Sequence, residues 1–118
     1  MVNPYNFLRS GRVEVLHNDT WLTVCSYYYW DWNLRNANVV CRQLGYDGAL
    51  LAPHYTEFGR RTGQAWLKYL DCRGNETLVS QCPLRWRTHR CWDYDNAGVV
   101  CRPAGRTAIK LYSTLIKN

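Results

Sequence analysis

Residues 39–46 read VVCRQLGY, and this stretch places the second cysteine of the chain inside a predicted helix. Asn33 is a favourable N-cap upstream of it, and Gly45 stands where a glycine commonly ends a helix. Apolar residues between them follow the i, i+3, i+4, i+7 spacing of one helix face: Ala37, Val40, Cys41 and Leu44. The pattern predicts one well-specified helix that carries Cys41 on its buried face.

A β-hairpin is predicted before this helix. Residues 12–17 alternate between polar and apolar side chains, residues 18–20 favour a turn, and residues 21–25 form the second strand. Later elements are predicted as strands over 64–72 and 97–102, a short helix over 75–82, and loops over 47–63 and 83–96. The chain is therefore expected to be an α+β protein.

The six cysteines indicate a disulfide framework. Zinc modules usually present close cysteine pairs, whereas the shortest interval here, between Cys82 and Cys91, leaves eight residues between them. Six cysteines allow about 15 pairings, so spacing alone leaves the connectivity open. A disulfide framework in a chain of 118 residues favours a single extracellular domain.

Net charge and hydropathy indicate the kind of partner and the location of the protein. The formal net charge is +6, and 12 of the 15 basic residues are arginine, whose planar side chain binds carboxylate, sulfate or phosphate in a bidentate way. No apolar stretch is long enough to span a membrane, and the first residues lack an apolar signal core. We therefore expect part of a secreted protein or of a membrane protein's ectodomain. Its basic charge either serves anionic partners or only keeps the domain soluble.

Five segments together resemble the scavenger receptor cysteine-rich (SRCR) domain, in the group that has six cysteines. They are GRVEV at 11–15, VVCRQLGY at 39–46, TGQAWL at 62–67, CRGNE at 72–76 and AGVVC at 97–101. The resemblance implies a curved antiparallel β-sheet that cradles one main α-helix, with a short helix and three disulfides. It places the domain at residues 7–102, with an N-terminal extension at 1–6 and a C-terminal tail or linker at 103–118.

The same resemblance implies a disulfide pairing and a non-catalytic role. The implied bridges are Cys25–Cys91, Cys41–Cys101 and Cys72–Cys82. Such domains bind proteins, polyanions or microbial surfaces, and no cofactor is expected. The sequence also lacks the motifs of hydrolases, phosphate-binding loops and zinc proteases, so we do not expect an enzyme.

A cation site common in the family is largely missing from this sequence. The family often has two aspartates directly after the cysteine that matches Cys25, and a glutamate before the Ala-Gly-Val of the last strand. The corresponding residues here are Ser26, Tyr27 and Asp95. One carboxylate does not make a calcium site, so no metal is predicted. An alternative is a site rebuilt from Asp31, Asp93 and Asp95.

Arginines interleaved with aromatic residues form the predicted ligand-binding surface. The candidate residues are Arg60, Arg61, Arg85, Trp86, Arg87, Arg90 and Trp92. Charge next to flat apolar side chains suits anionic polymers or microbial surfaces, while sequence-specific nucleic-acid binding is not expected. The alternative interpretation is that Trp86 packs into the core and its neighbours form a solvated face.

A second functional hypothesis is docking onto one specific protein partner. Its predicted anchors are the aromatic segment at 27–32 and Trp92, because exposed tyrosine and tryptophan are frequent contact residues. The alternative is that the segment at 27–32 covers the helix and replaces the missing cation site by packing. Lys68 is a further departure from the family, which usually has aspartate after Trp-Leu. Two glycosylation sequons begin at Asn18 and Asn75.

Overall fold

The protein is built from one α-helix, one 3-10 helix and seven short strands within the part of the chain that can be described. The computed structural model describes residues 9–26, 31–54, 63–88, 91–92 and 95–103. The strands are β1 (Ser10–Arg12), β2 (Glu14–His17), β3 (Thr20–Thr23), β4 (Gly48–Leu51), β5 (Lys68–Leu70), β6 (Leu84–Trp86) and β7 (Gly98–Arg102). The helix α1 spans Leu34–Gln43, and the 3-10 helix spans Val79–Gln81. No helix among the described residues is long and apolar enough to cross a membrane.

Both ends of α1 are fixed by the residues that the sequence indicates. The Asn33 side chain accepts hydrogen bonds from the backbone N–H groups of Arg35 and Asn36, so it is the predicted N-cap. At the other end, the N–H of Gly45 bonds to the carbonyl of Arg42, and the N–H of Tyr46 bonds to that of Cys41. Gly45 adopts a φ of 99°, which suits glycine and completes a Schellman motif. The predicted helix is confirmed.

The β2–β3 hairpin is also confirmed. Its register pairs Leu16 with Trp21 and His17 with Thr20, which leaves Asn18 and Asp19 as the two turn residues. Both turn residues have positive φ, 49° and 62°, as a two-residue hairpin of matching twist requires. Asparagine and aspartate tolerate this region better than other residues that carry a β-carbon.

The core lies between α1 and a three-stranded antiparallel sheet with the order β1-β7-β4. Helix α1 packs against β4 and β7 and buries Val39, Val40 and Cys41 there. Gly48 permits this close approach, since a β-carbon there would lie 2.9 Å from the side-chain oxygen of Asn38. The expected α+β fold is therefore observed, with its antiparallel strands divided among a three-stranded sheet and two ribbons, β2–β3 and β5–β6.

Two predicted loops contain strands. β4 lies within residues 47–63 and pairs with β7, while β6 lies within residues 83–96 and pairs with β5. Each strand is three or four residues long, which is too short for periodicity to reveal it. Each strand forms because it pairs with a strand that is distant in the sequence. Tertiary structure, and not the local sequence, therefore determines both strands.

Three disulfides connect these elements. They join Cys25 to Cys91, Cys41 to Cys101 and Cys72 to Cys82, the pairing that the family resemblance implied. Cys41–Cys101 ties α1 to β7 inside the core, and Cys72–Cys82 closes a loop with a sequence separation of 10. Long loops closed in this way remove conformational entropy from the unfolded chain.

Candidate ligand-binding surface

The β5–β6 ribbon presents a tryptophan and a lysine together at the surface. Lys68 and Trp86 are directly opposite each other in the antiparallel register. The Lys68 ammonium nitrogen lies 4.6 Å from the centroid of the Trp86 ring, and Trp86 is 67% exposed. A cation held over an exposed aromatic face offers charge and flat apolar contact at one place. The alternative in which Trp86 packs into the core is therefore wrong.

Arg85 adds a second cationic side chain to the same ribbon. Its Nε and Nη2 atoms each lie 3.1 Å from one carboxylate oxygen of Asp71. Both side chains are largely exposed, at 57% and 42%, so solvent screens the pair and it contributes little to stability. A stronger anion can therefore compete with Asp71 for the Arg85 guanidinium.

Arg87 corrects the predicted ligand-binding set. Its side chain is only 4% exposed, and its Nη1 atom lies 2.7 Å from a carboxylate oxygen of Asp31, whose side chain is fully buried. Arg87 directly follows β6, and its backbone N–H still donates to the Leu67 carbonyl at 2.9 Å, so its side chain leaves the chain on the side opposite Trp86, where it meets Asp31. Arg87 thus links β6 to the segment that leads into α1 and is unavailable to an external ligand.

The remaining predicted ligand-binding residues divide into two groups. Trp92 is described and exposed, and its backbone N–H donates to the carboxylate of Asp95 at 3.2 Å. Arg60, Arg61 and Arg90 lie outside the described residues. The structure therefore brings Arg85 and Trp86 together on one ribbon and adds Lys68. The signal for Lys68 was the change from the family's usual aspartate.

The carboxylates considered for a rebuilt cation site have protein partners instead. Asp31 binds Arg87, Asp95 accepts from the Trp92 backbone, and Asp93 lies outside the described residues. Within the described ranges, one other group of potential metal ligands occurs, at Cys72, Glu76 and Cys82, and its cysteines form a disulfide. A disulfide offers no thiolate, so this group is not a metal site.

His54 lies beside Ser26, the residue at which the family resemblance implied an aspartate. Its Nδ1 atom is hydrogen-bonded to the hydroxyl of the buried Ser26. Burial lowers the pKa of His54 below its ordinary value, and the Asp31 carboxylate and a hydrogen bond with the Trp32 backbone oppose this effect more weakly. The pocket therefore favours the neutral imidazole.

The last residue of the aromatic segment at 27–32, Trp32, contradicts the docking prediction. Trp32 is fully buried, and its indole N–H donates to the Gly98 carbonyl at 2.9 Å. It is a core residue and not a docking anchor, since its aromatic ring and its polar atom are both used inside the fold. Residues 27–30 lie outside the described residues.

Comparison with known proteins places this architecture in a family. The family model described as "Scavenger receptor cysteine-rich domain" matches residues 6–102. Lysyl oxidase homolog 4 of Bos taurus is 39% identical over 104 residues, which cover 87% of this chain and 13% of that protein. A scavenger receptor cysteine-rich domain superfamily protein of Patiria pectinifera is 46% identical over 92 residues, 77% of this chain and 8% of that protein. The chain thus spans a small part of these relatives' length.

Two solved structures have the same fold. The third SRCR domain of murine neurotrypsin matches with a TM-score of 0.69 and 35% identity, covering 86% of this chain and 92% of that one. The SRCR domain of mouse MARCO, in a dimeric form, matches with a TM-score of 0.64 and 36% identity. That match covers 78% of this chain and 85% of the other.

Proposed function

Because the chain belongs to the scavenger receptor cysteine-rich domain family, we propose that it is an extracellular recognition domain that binds anionic ligands on its β5–β6 ribbon. Domains of this family are typically extracellular, non-catalytic binding modules. Sulfated polymers and anionic microbial surfaces share the ligand chemistry that we propose. The observation that carries the proposal is the exposed Trp86 ring with the Lys68 ammonium 4.6 Å from its centroid.

The geometry supports an anionic ligand in two steps. Lys68 pairs with Trp86 and Arg85 pairs with Tyr69 in the register, so the two cations lie on opposite faces of the narrow ribbon and would meet separate anionic groups of one extended polymer. The Trp86 ring then offers apolar contact to the sugar or lipid that carries the anion. Arg87 supports this surface from below, because its ion pair with Asp31 anchors the chain directly after Trp86.

Heparin is the probe for this proposal. We expect the double variant Lys68→Gln/Arg85→Gln to bind heparin about tenfold more weakly, a loss of about 1.4 kcal/mol. The matched control is Arg35→Gln/Arg73→Gln, which removes two charges from exposed side chains outside the ribbon. Equal losses in the two double variants would show that heparin responds only to net charge and would refute the ribbon as the site.

Two further measurements test the charged residues and the aromatic residue of this surface separately. Raising the ionic strength should weaken heparin binding by the native chain, and this salt dependence should be smaller in the Lys68→Gln/Arg85→Gln variant. Trp86→Ser should lower the affinity while leaving the salt dependence nearly unchanged. A Trp86→Ser variant with native affinity would remove the aromatic contact from the proposal.

We also propose that both sequons carry N-linked glycans. Asn18 lies at the exposed tip of the β2–β3 hairpin, and Asn75 is exposed within the loop that Cys72–Cys82 closes. Intact mass measured after expression in a eukaryotic secretory host should fall by one glycan in Asn18→Gln and in Asn75→Gln. A variant whose mass changes only by the substitution itself would show that its sequon is unoccupied.

A further inference from the structure

An apolar groove lies apart from the Lys68–Trp86 contact. It has a volume of about 990 Å³ and is bounded by the β1, β2 and β3 strands on one side and by the end of α1 and the 3-10 helix on another. Its floor includes three well-buried side chains, Val40, Leu70 and Val99. Four large apolar residues on different elements also line it and are substantially exposed: Leu16, Trp21, Leu44 and Leu84.

Exposure of these four residues is the feature that requires an explanation. Single exposed leucines are ordinary, but large apolar side chains grouped around one concave surface mark an interaction site. Tryptophan is among the residues that contribute most at protein–protein contacts. Because the groove is open and shared by several elements, it suits a protein segment with several large side chains better than an enclosed small molecule.

The charge of the groove indicates what else the partner carries. Among the described lining residues, Arg9, Arg12 and Glu14 are charged at neutral pH. Arg12 and Glu14 form an ion pair with a 3.3 Å separation, so Arg9 leaves the lining with a net positive charge. The whole chain has a formal charge of +6. Electrostatic complementarity therefore favours an acidic partner over a neutral or basic one.

We propose that this groove binds a segment of another protein that combines large apolar side chains with acidic residues. The apolar side chains pack onto Val40 and Val99 between the rim residues, and a carboxylate meets Arg9. The groove is a different docking surface from the one predicted around Trp32, because Trp32 is buried in the core. Leu70 and Leu84 of the β5–β6 ribbon line the groove, but Lys68, Arg85 and Trp86 do not, so either proposal can fail without the other.

A phage-displayed library of random twelve-residue peptides, selected on the full chain, is the probe. Enriched peptides should contain several large apolar residues together with aspartate or glutamate, and one of them is then synthesised for affinity measurements. Leu44→Ser should weaken its binding about fivefold, because Leu44 is 63% exposed at the groove rim. Arg9→Gln should weaken binding and reduce its dependence on salt.

Leu50→Ser is the matched control. Leu50 is 52% exposed on β4 and does not line the groove, so its substitution removes the same apolar side chain from another surface. Equal losses in Leu44→Ser and Leu50→Ser would overturn the proposal, as would a library that yields no enriched peptide. Heparin binding measured on Leu44→Ser should stay at the native level, which distinguishes this test from that of the ribbon.

Two companion measurements test whether the groove instead binds a second copy of the chain or a lipid. Sedimentation of the full chain would reveal a dimer, and a dimer that Leu44→Ser dissociates would assign the groove to a second copy and overturn the proposal. Binding to phosphatidylserine vesicles that is lost in Leu44→Ser and retained in Leu50→Ser would assign it to a lipid and have the same consequence. A monomer that binds the selected peptide through Leu44 and Arg9, without vesicle binding, supports the proposal.

Discussion

The ion pair between Arg87 and Asp31 provides the sharpest test of the fold. Replacing Arg87 with methionine keeps most of the side-chain volume but leaves the fully buried Asp31 carboxylate without the guanidinium 2.7 Å away. Removing one partner of a buried pair costs about 3–5 kcal/mol, because the other charge stays desolvated. Domains of this kind have a net stability of about 5–15 kcal/mol, so Arg87→Met should lose a large part of it.

Urea unfolding followed by tryptophan fluorescence, with the disulfides intact, measures this loss. The matched control is Arg85→Met, two residues earlier in the chain and within β6, whose pair with Asp71 is exposed. An exposed pair contributes about 0–1 kcal/mol, so the control should unfold nearly as the native protein does. The double variant Arg87→Met/Asp31→Asn should recover part of the stability that Arg87→Met loses, because it also removes the buried charge.

Two results would refute this reasoning. One is a loss below about 1 kcal/mol for Arg87→Met, which would mean that water reaches the Asp31 carboxylate. The other is a double variant less stable than Arg87→Met, which would mean that the Asp31 charge stabilises the fold without its arginine.

Three further predictions concern the disulfides, pH and metal. Replacing Cys72 and Cys82 together with alanine should lower the free energy of unfolding by about 3 kcal/mol in the same urea assay, and an unchanged midpoint would contradict the chain-entropy estimate. Because burial lowers the pKa of folded His54, the unfolded chain binds a proton more readily, so stability should fall as the pH drops below about 6.5. In His54→Asn, the urea midpoint should depend less on pH below about 6.5 than in the native protein. An unchanged pH dependence would show that other groups cause it. Millimolar calcium or a chelator should leave the melting temperature unchanged, because Asp31 is engaged by Arg87; a rise with calcium would reveal a bound ion.

Local sequence determined the elements whose signals lie close together in the chain. Asn33 and Gly45 set the ends of α1, and Asn18 and Asp19 set the β2–β3 turn, because capping and turn geometry depend on residues only a few positions apart. The cysteines indicated a disulfide framework, but spacing left their partners open. The family resemblance supplied the pairing that the structure shows.

Tertiary structure decided which charged and aromatic residues face solvent. Arg85, Trp86 and Arg87 form a single basic-aromatic run in the sequence, yet Trp86 is exposed over Lys68 while Arg87 is buried against Asp31. Strand β6 creates this difference, and its pairing with β5 is not visible in so short a segment. Asp31 stands 56 residues before Arg87, so no local pattern could have matched the two.

The two candidate surfaces also depend partly on the sequence and partly on the tertiary structure. The sequence by itself determined the residue types that they need, namely arginine, lysine, tryptophan and leucine in a disulfide-bonded domain. Only the tertiary structure decided that Lys68 meets Trp86 and that Leu16, Trp21 and Leu44 share one groove. Those contacts depend on strand register and on how α1 packs, which are set by burial over the whole chain and not by neighbouring residues.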